Sequence, residues 1–99
     1  MNDELRDLLS DVFAEHWKEP FVLYLDSGSD LLLGQRGQQD PEYMLCLRSD
    51  ESTGKCDEGT LQGFKEIGEA IEAVVATIAA RFGWKADEAE RWLLNELQA

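Results

Sequence analysis

His16, Cys46 and Cys56 are the first residues to test for chemistry, because the sequence holds one histidine and two cysteines. A general base must stand within hydrogen-bond reach of a nucleophile or a substrate. His16 stands instead in a run of helix-spaced apolar residues, with no partner that the sequence identifies, and reads as a structural histidine. A nucleophilic thiol needs a histidine or a helix start beside it. Cys46 falls in the middle of a strand pattern. Cys56 lies in a polar loop whose neighbours Asp57 and Glu58 would raise a thiol pKa rather than lower it. Two cysteines ten positions apart and one distant histidine do not make a four-ligand zinc set. Ser52-Thr53-Gly54-Lys55 carries the letters of a phosphate loop in the wrong order and without its leading glycine. Asp26-Ser27-Gly28-Ser29-Asp30 lacks the third acid and the distal glutamate of a calcium loop, and reads as a hairpin turn. The expectation is no catalysis, no metal and no cofactor.

Carboxylates are the remaining chemistry. Asp3, Asp7, Asp11 and Glu15 recur at four-residue spacing, which puts them along one side of a helix. Like charges so placed repel by roughly 0.2–0.5 kcal/mol per pair. Arg6 and Lys18 could relieve Asp3 and Glu15 at i+3, whereas Asp7 and Asp11 have no good local partner. The whole chain carries 21 acids against nine bases, a net charge of −12. Such a surface repels DNA, RNA and anionic lipid, and speeds encounter with basic proteins. Acids four apart are about 6 Å apart along a helix axis, sparser than the charges of duplex DNA at about 1.7 Å. Several acidic elements together could still present a phosphate-like field. The candidate contacts are the ladder with Asp26, Asp30, Asp50, Glu51, Asp57 and Glu58.

The elements that must position these groups follow from periodicity. Leu5, Leu8, Leu9, Val12, Phe13, His16 and Trp17 make the inner stripe of a first helix, capped by Asn2 and ended by about Lys18 ahead of Pro20. Phe21–Asp26 alternates as a strand, with Phe21, Leu23 and Leu25 on one face and Val22, Tyr24 and Asp26 on the other. A short second strand begins at Leu31-Leu32-Leu33, followed by a polar loop from Gly34 to Pro41. Tyr43–Arg48 is the third strand, and Ser49–Gly59 a loop. A long helix is expected from about Leu61 to Phe82, capped by Thr60 and stopped by Gly83. The last helix is expected from about Ala86 to Leu97, with Asp87 and Glu90 as a capping box. Lys65 with Glu69, and Asp87 with Arg91, have the spacing of helix-supporting pairs.

The order is α-β-β-β-α-α: one α+β domain over residues 1–99, with a three-stranded antiparallel sheet packed on one face by helices. The long helix is expected in the middle of the helical layer, flanked by the other two. The other sheet face would carry Val22, Tyr24, Met44 and Cys46, an alternative apolar contact or dimer seam. The acidic start and the lack of a long apolar run predict a cytoplasmic, membrane-free protein, in which Cys46 and Cys56 are expected to stay reduced, with a bridge closing a short loop as the alternative.

Two roles fit these features. In size, acidity and want of catalytic motifs the chain resembles phage-encoded blockers of bacterial defence complexes (anti-CRISPR proteins) and toxin-immunity proteins. This is a likeness of type rather than of motif. It implies an inhibitor docking on a basic, nucleic-acid-handling protein without touching nucleic acid itself, as a monomer or homodimer. The element order over roughly the first 80 residues is also similar to that of small acidic secretion chaperones. That likeness implies a dimeric adaptor working through the apolar sheet face. The later strands usual in those chaperones are missing.

Overall fold

Seven elements appear in the computed structural model, which describes residues 2–26, 28–49 and 55–98. They are α1 (Asp3–Glu15), β1 (Phe21–Asp26), β2 (Ser29–Arg36), β3 (Glu42–Ser49), β4 (Gln62–Phe64), α2 (Ile67–Phe82) and α3 (Ala86–Gln98). The class is α+β, and the strands form one antiparallel sheet in the order β1-β2-β3-β4. The sheet therefore has four strands where three were expected.

The fourth strand lies in the segment assigned from sequence to the start of the long helix. Gly63 explains the difference. A Cβ on it would come within 3.0 Å of the Glu42 carboxylate and 3.2 Å of the Met44 sulfur, so only glycine fits there without displacing those side chains. Glycine is also a poor helix former. The extended segment pairs Phe64, Gly63 and Gln62 with Tyr43, Met44 and Leu45, and α2 starts later, at Ile67. Lys65 consequently stands outside the helix and forms no ion pair with Glu69.

Thr60 does not cap α2. Its hydroxyl oxygen accepts from the Leu47 backbone N–H at 3.2 Å, and its O–H donates to the Asp57 carbonyl at 2.7 Å. The Asp57 N–H donates to the Leu47 carbonyl at 2.8 Å. This turn satisfies the margin of β3 beyond the end of β4, where an open strand edge would otherwise be exposed.

β2 continues through Gly34 to Arg36, into the segment expected as loop. Its Gln35 N–H donates to the His16 carbonyl at 3.0 Å, tying the α1–β1 connection to the sheet.

Leu23, Leu25, Leu31, Leu33 and Leu45 line the inner sheet face and pack with Leu5, Leu9 and Phe13 of α1 and with Ile71, Val74, Val75 and Ile78 of α2. α1 lies over β2, and α2 lies over β3 and β4. α3 packs chiefly on α1 and α2 through Ala89 and Leu93, rather than beside α2 on the sheet as expected. Its first turn uses Glu88, whose carboxylate accepts the Lys85 N–H at 3.2 Å, in place of the expected Asp87 and Glu90 box. Asp87 and Arg91 form no ion pair. Asn2 caps α1 as expected, accepting the Glu4 N–H at 2.8 Å. Gly83, at φ 71°, ends α2 in the left-handed region, and Phe82 and Trp84 stack at 4.5 Å beyond it.

Leu9→Ala should destabilise the protein by about 2–5 kcal/mol, since the side chain is fully buried, as measured by urea unfolding. Thr60→Val should leave the fold intact and raise amide exchange at Leu47 by roughly 2- to 10-fold, the equivalent of one modest hydrogen bond.

Candidate functional site

α1 buries Leu5, Leu9 and Phe13 completely, and this orients the rest of the helix. At 100° per residue the centre of the solvent side falls near Asp7, with Asp3 and Asp11 beside it and Glu15 further round. All four ladder carboxylates are exposed. Among the described residues none makes an ion pair, so Arg6 and Lys18 do not neutralise Asp3 and Glu15. Their side chains also form no hydrogen bond.

The hairpin acids are placed differently. Asp30 is 8% exposed and accepts from Arg48 through both carboxylate oxygens, at 2.9 Å from Nε and 2.7 Å from Nη2. That hydrogen bond raises the Arg48 pKa from its ordinary value. A register shift between Tyr24 and Asp26 pairs Asp26 with Ser29. The bulge brings Asp26 to the helical side, away from Val22 and Tyr24, with which it was grouped from sequence. There the Ser29 hydroxyl donates to Asp26 at 2.8 Å, and Arg81 of α2 reaches Asp26 at 3.1 Å and Ser29 at 3.1 Å. The Ser29 hydrogen bond first, then that from Arg81, holds the Asp26 carboxyl below its ordinary value of 3.8.

Asp57 is also committed, accepting from the Ser49 N–H at 3.2 Å and its hydroxyl at 3.1 Å. Glu58 is exposed. Asp50 and Glu51 lie outside the described residues. Among the described residues the proposed contacts thus do not form one platform: the ladder stays free, Asp26 and Asp30 are neutralised by guanidinium groups, and Asp57 braces a turn.

The helix-free sheet face holds the alternative contact. Cys46 and Cys56 form a disulfide there with Cα atoms 5.7 Å apart, the alternative to the reduced thiols that were expected. The Asp57 and Thr60 bonds to Leu47 bring Cys56 back across β3, a long-range approach that spacing alone does not reveal. Cys46 is buried, Val22 and Met44 are half-buried, and Tyr24 is exposed. Sequence reasoning missed Pro20, Leu32 and Leu61, which with Met44 and the two cysteines line an apolar hollow of about 180 Å³. Leu61 was hidden by its assignment to a helix. Leu32 could have been placed on this face from its alternation with Leu31 and Leu33.

His16 shows a structural use: its Nδ1 lies 2.7 Å from the Val12 carbonyl, and its ring meets Phe21 edge-on. Among the described residues, no helix is long and apolar enough to cross a membrane. No protein-family model, curated protein or solved structure matches this chain.

The Asp26 carboxyl releases its proton more readily in the folded protein than in the unfolded chain. Its contribution to stability is therefore present above about pH 3.8 and is lost as pH falls through the lower folded value. Asp26→Asn should reduce the loss of stability between pH 7 and pH 3, read as the shift in urea midpoint relative to the parent.

Proposed function

We propose that this chain is a small acidic inhibitor that binds a basic, nucleic-acid-handling protein, with the outer side of α1 as its principal contact. The reading is carried by the contrast among its carboxylates. Asp26 and Asp30 are matched to Arg81 and Arg48, whereas Asp3, Asp7, Asp11 and Glu15 stand exposed without a cation. Uncompensated repulsion along α1 is a standing cost in the free protein, and lysine or arginine from a partner would relieve it. The ladder spans thirteen residues, about 18 Å of helix from first to last, which suits a basic groove or ridge of similar length. Opposite charge over such a distance accelerates association and makes it sensitive to salt. Phage origin, anti-CRISPR activity and charge mimicry of nucleic acid are finer forms of the same proposal and rest on the likeness of type alone.

The adaptor role through Val22, Tyr24, Met44 and Cys46 is the lesser reading. Cys46 is covered by its own bridge, and Val22 and Met44 are only partly accessible, so these residues offer a client segment little free apolar surface beyond Tyr24.

Reversing Asp7 and Asp11 to lysine should weaken capture of basic proteins from extract by tenfold or more and flatten its salt dependence. A control, Glu72→Lys with Glu96→Lys, carries the same net charge on other exposed positions. It should retain most of the binding. Equal losses in the two variants would mean that bulk charge, and not the ladder, does the binding.

A further inference from the structure

We propose that the helix-free face of the sheet is a docking surface for a second copy of this chain, joined face to face about a twofold axis. Three observations converge on that face. The exposed large hydrophobic side chains among the described residues are Trp17 at 46%, Tyr24 at 73% and Leu61 at 57%. Leu61 lines the apolar hollow over Leu32 and the disulfide, Trp17 lines the next one across Pro20, Gly34 and Met44, and Tyr24 stands on the same face at the hairpin end, opposite Asp30 in the register. Scattered exposed apolar residues need no explanation, but their gathering on a face that no helix covers does.

The second observation is charge. In a chain of net charge −12, this face is close to neutral among the described residues: Arg48 pairs with Asp30 at 2.7 Å and Arg36 with Glu42 at 3.6 Å, and the exposed Lys18 and Glu19 at its Trp17 end carry opposite charges. The Lys18 ammonium lies 4.8 Å from the centre of the Trp17 ring. A face without marked charge selects neither a basic nor an acidic partner. It is, however, a surface through which two strongly negative copies can approach. Packing sheet on sheet also directs both α1 ladders outward, on opposite sides of the pair.

The third observation is size. Strands 4.7–4.9 Å apart and up to eight residues long give a face of roughly 400–500 Å² per copy, or about 800–1,000 Å² for two. That is below the usual span for stable complexes, so the pairing is a reversible one seen at high concentration. The Asp30–Arg48 pair sits at the hairpin end, where it stays at the rim rather than under the apolar centre.

Sedimentation of the full chain from about 10 µM to about 1 mM tests this directly. The mass should rise from 11.2 kDa toward roughly twice that value, and added salt should hold or tighten the association by screening repulsion. Leu61→Lys and Tyr24→Lys should each weaken it by tenfold or more with unchanged thermal unfolding. Both substitutions lower the net negative charge, so a general charge effect would act in the opposite sense. The variant with Asp7 and Asp11 reversed should still pair, which separates this proposal from the role of the ladder. A single 11.2 kDa species at every concentration would overturn it. So would a dimer that salt dissociates, or one indifferent to both lysine substitutions.

Discussion

Burial of one leucine-lined sheet face under α1 and α2 is the constraint from which the other features follow. Successive strand residues point to opposite faces, so committing Leu23, Leu31, Leu33 and Leu45 to the core sends Val22, Leu32, Met44 and Cys46 to the other side. Leu5, Leu9 and Phe13 dock on that same inner face and fix the rotation of α1. The ladder is turned outward by this anchoring, because four-residue spacing beginning at Asp3 runs along the side opposite the buried stripe. The placement of the acidic side and of the uncovered sheet face are thus two consequences of a single packing decision.

Carboxylates serve two purposes in this molecule. Around the β1–β2 turn and the approach to β4 they hold backbone and neighbouring elements together. Asp26 links the hairpin to α2 through Arg81, Asp30 links β2 to β3 through Arg48, and Asp57 braces the end of β3. On α1 the four ladder carboxylates hold nothing together, whereas Glu4 accepts from the Gln98 side chain of α3. The distinction does not follow residue type or local charge density. It follows from whether the fold delivers a donor: arginines from 18 and 55 residues away for Asp30 and Asp26, and the Ser49 N–H and hydroxyl for Asp57.

The disulfide and the fourth strand share an origin in the return of the chain after the β3 loop. Phe64, Gly63 and Gln62 pair with β3, Thr60 then meets Leu47 through its side chain, and Cys56 comes to lie against Cys46. The segment thereby finishes the sheet margin and partly covers its outer face. It also supplies Leu61, one of the exposed apolar groups there.

Sequence alone was enough for the elements whose period is long and clean. The stripe of α1 with its Asn2 cap, the leucine alternation of β1 and β3, the apolar α2 and its Gly83 stop all reflect local rules, and so did the α+β class. The shared side of the ladder was legible for the same reason, since i, i+4 spacing on an anchored helix needs no distant information, but that Arg6 and Lys18 leave Asp3 and Glu15 unpaired was not. Tertiary structure decided the rest. Three residues around Gly63 are too short to show a strand period and become one only when β3 offers its edge. Asp26 changes side because a bulge adds one residue to the register. Asp30 loses its availability to Arg48 on the next strand and Asp57 to Ser49 across the returning loop, and Cys46 finds Cys56 only once the turn has closed. Each of these outcomes depends on a contact between segments whose separation in sequence carries no periodic signal, which is why only the folded chain could settle it.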